Sequence, residues 1–251
     1  MHHFFTNRTA LIIGGSGGIG QAVAYELAKA GATLIIHGGH SEARLASTLK
    51  QIQNIQTKAG IPAENHLHRS ILQTLATNES IQFILDQVPK IDILVYSFGP
   101  FIRKPLHQVT VDEWNFMASM NLAFPGALVS AYLEPMLEQK WGRIILFGGT
   151  NTDSIRGFST TTAYAAAKTG LGVLAKSVAR QGGSSNVTCN VICPGMVDTE
   201  YLDDTARSYA QDKAPGGILI SREKIATLIM DIMKGEHING SIISVDRGLV
   251  I

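Results

Sequence analysis

Short apolar runs alternate with longer amphipathic stretches along the chain. Seven runs read as strands: TALII (9–13), ATLII (32–36), NHLH (65–68), IDILVY (91–96), GRIILF (142–147), NVTCNVI (186–192) and SIISV (241–245). The stretches 18–30, 41–59, 74–88, about 110–139, 161–181 and 221–234 read as helices. Continuous apolar strands separated by helices predict a parallel sheet covered on both faces. Right-handed crossovers then make it a doubly wound α/β domain. No Pro/Gly/Ser-rich linker divides the chain, so 1–251 is expected to be one domain. Within it, 197–220 is polar and irregular, with Gly216 and Gly217 near its end. It reads as a segment lying over the carboxyl edge of the sheet and covering a substrate.

Composition narrows the function. A chain of 251 residues, 45% hydrophobic and 16% charged, buries a sizeable core. A formal net charge of +1 gives no reason to expect a nucleic-acid partner. No stretch reaches the roughly 18 uninterrupted apolar residues of a membrane span, and MHHFFTNR lacks a signal-peptide layout. The expectation is a cytoplasmic protein. Cys189 and Cys193 stand four residues apart on a predicted strand. Their separation there is roughly 13 Å, beyond disulfide reach. Both read as buried thiols. His66, His68 and His107 match no ligand spacing, so no metal is expected.

The first strand runs into GGSGGIG (14–20) and then a helix. Gly14 suits a tight turn, Gly18 a close backbone approach to a diphosphate, and Gly20 close packing of helix on sheet. The free amides of the helix start then face the phosphates. In AYAAAK (163–168), Tyr164 and Lys168 fall on one face of a helix, with small alanines between them. An ammonium near a phenol favours the phenolate and lowers its pKa, as a tuned proton donor requires.

The Gly-x-x-x-Gly-x-Gly spacing together with Tyr164-x-x-x-Lys168 resembles the short-chain dehydrogenase/reductase family. IDILVYSFG, EWNFMASMNL with Asn121, CPGMVDT and INGSIISVDRG match further family segments in order and spacing. The nearest pattern is that of 3-oxoacyl-acyl-carrier-protein reductases. The resemblance implies a single Rossmann-type domain that moves a hydride between a nicotinamide cofactor and a carbonyl or alcohol substrate, in a homodimer or homotetramer. It implies that Tyr164 gives the proton, that Lys168 tunes it and binds the nicotinamide ribose, and that Asn121 holds a water. It also implies cofactor contacts from Gly14, Ser16, Gly17, Gly18, Ile19, Gly20, Ser70, Ser97, Phe98, Gly99, Tyr164, Lys168, Pro194, Gly195, Val197 and Thr199. Phe98, Phe101, Met196 and Tyr201 are candidates for the substrate pocket.

Three departures stand out. The family serine that bonds the substrate oxygen is missing: one alignment puts Gly149 there, another Asn151. Thr150 is the leading substitute, with Thr152 and Ser154 behind it. Ser70 replaces a common aspartate near the adenine. The second strand ends in His37 and has no carboxylate until Glu42, where an acidic residue would select NAD. His37, His40, Ser41 and Arg44 could surround a ribose 2′-phosphate, or Ser41 could simply cap a helix. NADP(H) is favoured, with NAD(H) possible.

Overall fold

The computed structural model describes residues 4–62 and 67–249. Its elements run β1 (Thr9–Ile13), α1 (Gly18–Lys29), β2 (Thr33–Gly38), α2 (Glu42–Lys58), β3 (Arg69–Leu72), α3 (Asn78–Gln87), β4 (Ile93–Tyr96), α4 (Val111–Ala118), α5 (Phe124–Glu138), β5 (Gly142–Phe147), α6 (Thr162–Gly182), β6 (Val187–Pro194), β7 (Val197–Asp198), α7 (Asp204–Lys213), β8 (Ile220–Ser221), α8 (Arg222–Lys234) and β9 (Ile242–Val245). Seven strands form one sheet in the order β3-β2-β1-β4-β5-β6-β9. Every pairing in it is parallel, with Ala10 opposite both Leu34 and Ile93.

The unbroken apolar strands follow from this layering. Along β1, Leu11 and Ile13 enter one core, while Ala10 and Ile12 enter the other. Successive side chains of a strand point to opposite faces, so both sets must be apolar. Each fully buried Ile or Leu stabilises the fold by roughly 1.5–3 kcal/mol. α1, α2 and α8 cover one face, with Val23, Leu27, Leu45 and Ile229 facing inward. α3, α5 and α6 cover the other, through Ile84, Leu128, Tyr132 and Leu171. Val111–Glu138 is long and apolar enough to cross a membrane by length and composition, yet Leu128, Val129, Tyr132 and Met136 are buried in this core.

Two elements depart from the sequence expectation. The third strand is Arg69–Leu72, later than 65–68, and residues 63–66 lie outside the described residues, His66 among them. β3 is an edge strand in which Ile71 alone is buried, so no apolar run marks it. His68 instead accepts the Leu34 N–H through Nδ1 at 3.0 Å, and its Nε2 lies 2.8 Å from Gln56 Oε1. The segment 197–220 is not irregular. It carries the ten-residue α7, capped by Asp203, whose carboxylate accepts from Ala206 N–H at 2.7 Å. Only Ala210 of that helix is buried, which explains its silent pattern. The pairing of β7 with β8 ties the two ends of the segment together.

The strand order reverses between β1 and β4. Their connections leave in opposite directions, opening a crevice at the carboxyl ends.

Candidate active site

The crevice is built on the glycine turn. Gly14 has φ +77°, and a Cβ there would lie 3.2 Å from Phe98 N. A Cβ on Gly20 would come within 2.5 Å of the Gly14 carbonyl oxygen, so only glycine lets α1 pack so closely on the turn. Ser97 does not face outward as a donor. Its hydroxyl donates to the Ile13 carbonyl at 2.8 Å and so ties the end of β4 to the end of β1. Gly17 precedes α1 without a side-chain cap, leaving first-turn amides for other acceptors. The resulting cleft has a volume of about 700 Å³. Gly14, Ser16, Gly17, Gly18, Ile19, His37, Ser41, Arg44, Ser97, Phe98, Gly99 and Thr199 line it; Gly20, Ser70, Tyr164, Lys168, Pro194, Gly195 and Val197 do not.

At the β2 end the candidates divide. Arg44 and Ser41 sit on the cleft wall with His40. Ser41 also caps α2, accepting the Arg44 N–H at 3.2 Å. Ser70 pairs with Ile36 in β3 and is exposed, away from the cleft. Thr74 and Leu75, just beyond β3, line the wall there instead.

His37 is 1% exposed and cannot act as a cationic phosphate ligand. Its Nδ1 accepts the Gly14 N–H at 3.4 Å, so Nε2 carries the proton and donates to the Gln73 carbonyl at 2.7 Å. Burial lowers its pKa from 6.5 to about 4, against the opposing pull of the Gln73 bond. The unfolded chain therefore binds more protons between these two values, and stability from this group is lost as pH falls through that window. Going from about pH 7 to about pH 5 should remove roughly 1–2 kcal/mol through His37. Thermal unfolding of the wild type and of His37→Gln at both pH values checks this: the variant should show the flatter pH dependence, and equal slopes would contradict it.

The other end of the crevice is set by α6 and by the break between α4 and α5. A π-helical turn, Ser119–Ala123, interrupts that long helix. It carries Asn121, fully buried, whose Nδ2 donates to the carbonyls of Pro100 at 3.0 Å and Met117 at 3.2 Å. Asn121 Oδ1 is buried with no hydrogen-bond partner. A Cβ on Gly99 would fall within 2.7 Å of Lys168 Nζ and would strike Asn121 Oδ1. Glycine at 99, itself on the cleft wall, thus lets both groups pack directly behind that wall.

Tyr164 and Lys168 lie one turn apart on α6, the ammonium 5.8 Å from the phenol ring centre. Lys168 is 3% exposed and donates to the Phe147 carbonyl at 2.8 Å. Burial pulls its pKa from 10.5 down to about 7, with Cys193 acting the other way. Burial, with Cys193 adding to it, pushes Tyr164 up to about 12. The sequence expectation was the reverse, a phenol made acidic by its neighbour. Burial is the largest influence on both groups, raising the phenol and lowering the ammonium.

Gly149 is the backbone position against the Tyr164 hydroxyl; a Cβ there would lie 2.6 Å from the phenol oxygen. The hydroxyl of Thr150 turns away and donates to the Pro194 carbonyl at 3.1 Å. Thr152 is buried and braces the same turn, accepting the Gly149 N–H at 2.8 Å. Gly195 N–H donates to the Val245 carbonyl at 3.0 Å, and Val197 pairs with Ile220, so these residues shape the β6 end rather than the cleft wall. Phe101 packs edge-on against Tyr164, 6.2 Å between ring centres. Cys189 and Cys193 are both free and buried. Among the described residues no cluster of three or more His, Cys, Asp or Glu could hold a metal ion.

Sequence reasoning missed one contact altogether. Glu200 Oε1 accepts the Gly18 N–H at 2.8 Å, across 182 residues of chain. No local pattern signals it.

The model of the short chain dehydrogenase family matches residues 8–210. The 3-oxoacyl-(acyl-carrier-protein) reductase of Aquifex aeolicus is 28% identical over 96% of this chain and 97% of its own. That of Pseudomonas aeruginosa is 32% identical, again over 96% and 97%. Among solved structures, a 3-oxoacyl-(acyl-carrier-protein) reductase from Agrobacterium tumefaciens C58 with NADP bound superposes with a TM-score of 0.84. It is 26% identical, over 98% of this chain and 95% of that one.

Proposed function

The chain belongs to the short-chain dehydrogenase family of oxidoreductases, and on that premise we propose that it is an NADP(H)-dependent reductase of ketones, 3-oxoacyl thioesters foremost among them. The observation that supports this reading is that Lys168 and Asn121 pack directly behind Gly99, a residue of the cleft wall. Lys168 Nζ and Asn121 Oδ1 converge on Gly99, and the Tyr164 hydroxyl lies against Gly149. The residues fit a dinucleotide: the turn holds glycines whose side chains would fill the cradle, and Asn121 Oδ1 is a buried acceptor awaiting a donor.

When bound, the nicotinamide supplies the hydride. The amides of Gly17 and Gly18 at the start of α1 would hold the diphosphate. Lys168 would hold the nicotinamide ribose. Tyr164, still a phenol at neutral pH, hands its proton to the substrate oxygen as that oxygen gains charge. Lys168 and Asn121 Oδ1 form the path along which a water replaces that proton. Thr150 braces the Pro194 turn and leaves the proton transfer to Tyr164.

The cofactor preference rests on what stands at the end of β2. His37 is neutral and occupied, so a 2′-phosphate would rely on Arg44, Ser41 and His40. Losing one charge-assisted contact from Arg44→Ala should weaken NADPH by about tenfold to a hundredfold while NADH changes little. Titrating both cofactors checks it, and equal losses would refute the preference.

The missing family serine, with the Thr150 hydroxyl turned to the Pro194 carbonyl, favours a second reading, a cofactor-binding regulator without turnover. NADPH oxidation with a panel of ketones and 3-oxoacyl thioesters separates the two. Turnover supports the reductase; tight NADPH binding with no turnover on any substrate supports the regulator.

A further inference from the structure

We propose that Glu200 is a built-in competitor for the cofactor's diphosphate, carried on a strap that must leave the glycine cradle before a dinucleotide can enter. The proposal rests on the dinucleotide reading of the crevice.

Glu200 Oε1 accepts from Gly18 N–H at 2.8 Å. That amide lies in the first turn of α1, where the helix favours negative charge. A carboxylate is the side-chain group most like a phosphate oxygen in charge and hydrogen bonding. Its second oxygen is held by Arg222 at 2.6 Å, from the start of α8, so the carboxylate is aimed rather than loose. Tyr201 completes the contact: its ring lies over Gly18 and its hydroxyl against Gly17, where any Cβ would collide with it. Arg44 stacks on that ring, 5.1 Å from guanidinium to ring centre.

One N–H cannot serve both a carboxylate and a diphosphate, and two anions at one helix start repel. Cofactor binding therefore displaces Glu200. Displacement moves Tyr201 with it and frees Arg44, the residue assigned to the 2′-phosphate. The strap is continuous with β7 on one side and α7 on the other. Filling the cradle is thereby linked to the position of the segment expected to cover the substrate. A ligand shifts such an equilibrium only by its differential affinity for the two positions, so cofactor affinity is reduced by whatever holds the strap in place.

The test compares wild type, Glu200→Gln and Glu223→Gln, titrated with NADPH and separately with inorganic pyrophosphate. Glu223 touches the same Arg222 but lies away from the glycine turn, so it controls for a changed arginine. Glu200→Gln should bind both probes at least about fivefold more tightly, and Glu223→Gln should match the wild type. Tryptic cleavage at Arg207 and Lys213 should respond to NADPH in the wild type and be altered without it in Glu200→Gln. Unchanged or weaker NADPH binding by Glu200→Gln, with the wild type binding well, would overturn the competitor role alone. Failure of all three proteins to bind NADPH would overturn the dinucleotide reading and the competitor role with it.

Discussion

Replacing Tyr164 with phenylalanine is expected to lower kcat by about 10²- to 10⁴-fold while NADPH affinity stays within about twofold. The substitution removes one oxygen. The ring that packs on Phe101 remains, and the contact with Gly149 loosens without leaving a cavity of any size. Tyr164 lies in the first turn of α6, so its position is fixed by a helix whose inner face, through Ala165, Leu171 and Ala175, is buried in the sheet. A raised pKa of about 12 keeps the phenol protonated throughout the neutral range, the state a proton donor must have. Steady-state turnover with a ketone, measured beside an NADPH titration, checks both halves. Parallel loss of binding and turnover would make Tyr164 a structural residue.

Lys168→Met is expected to combine loss of function with a gain in stability. A lysine 3% exposed, with a pKa pulled from 10.5 to about 7, is held against its own solvation. Replacing a buried ammonium with a packed apolar side chain removes the cost of its desolvation. Methionine leaves the Phe147 carbonyl without its donor, so a net gain of about 1 kcal/mol is expected, or a few degrees in Tm. The sign with pH is fixed. Folding at pH values between about 7 and 10.5 releases a proton from this lysine, so its burden shrinks as pH rises through that window. The gain in Tm should therefore be greatest near pH 7 or below and fade towards alkaline pH. Turnover should drop by about 10²- to 10³-fold, as when a preorganised polar contact is removed from a site. Calorimetry across pH and single-substrate kinetics read the two effects independently. A variant less stable than wild type at neutral pH would show that the lysine is a structural member of the core.

The sheet was legible because its inner strands are buried on both faces and so carry unbroken apolar runs. β3 was displaced because an edge strand with only Ile71 buried has no such run. α7 was missed because one buried alanine gives no period. Part of the candidate site was legible through spacing: Tyr164 and Lys168 sit one helical turn apart, and the glycine turn announces its own geometry. What failed was whatever depended on distant partners. Nothing in HGGHSEAR shows that His37 is held between Gly14 and Gln73. Nothing near Tyr164 in the chain shows that burial, not Lys168, sets its pKa. The Glu200–Gly18 contact joins segments that meet only after the whole sheet has formed.

The most direct measurement follows a label. NADPH carrying deuterium at the transferable position of its nicotinamide is incubated with the protein and a 3-oxoacyl thioester, and the product is read by mass spectrometry and NMR. Deuterium on the new carbinol carbon, lost in Tyr164→Phe, is the predicted result. Bound NADPH that keeps its label across every ketone offered would contradict the account.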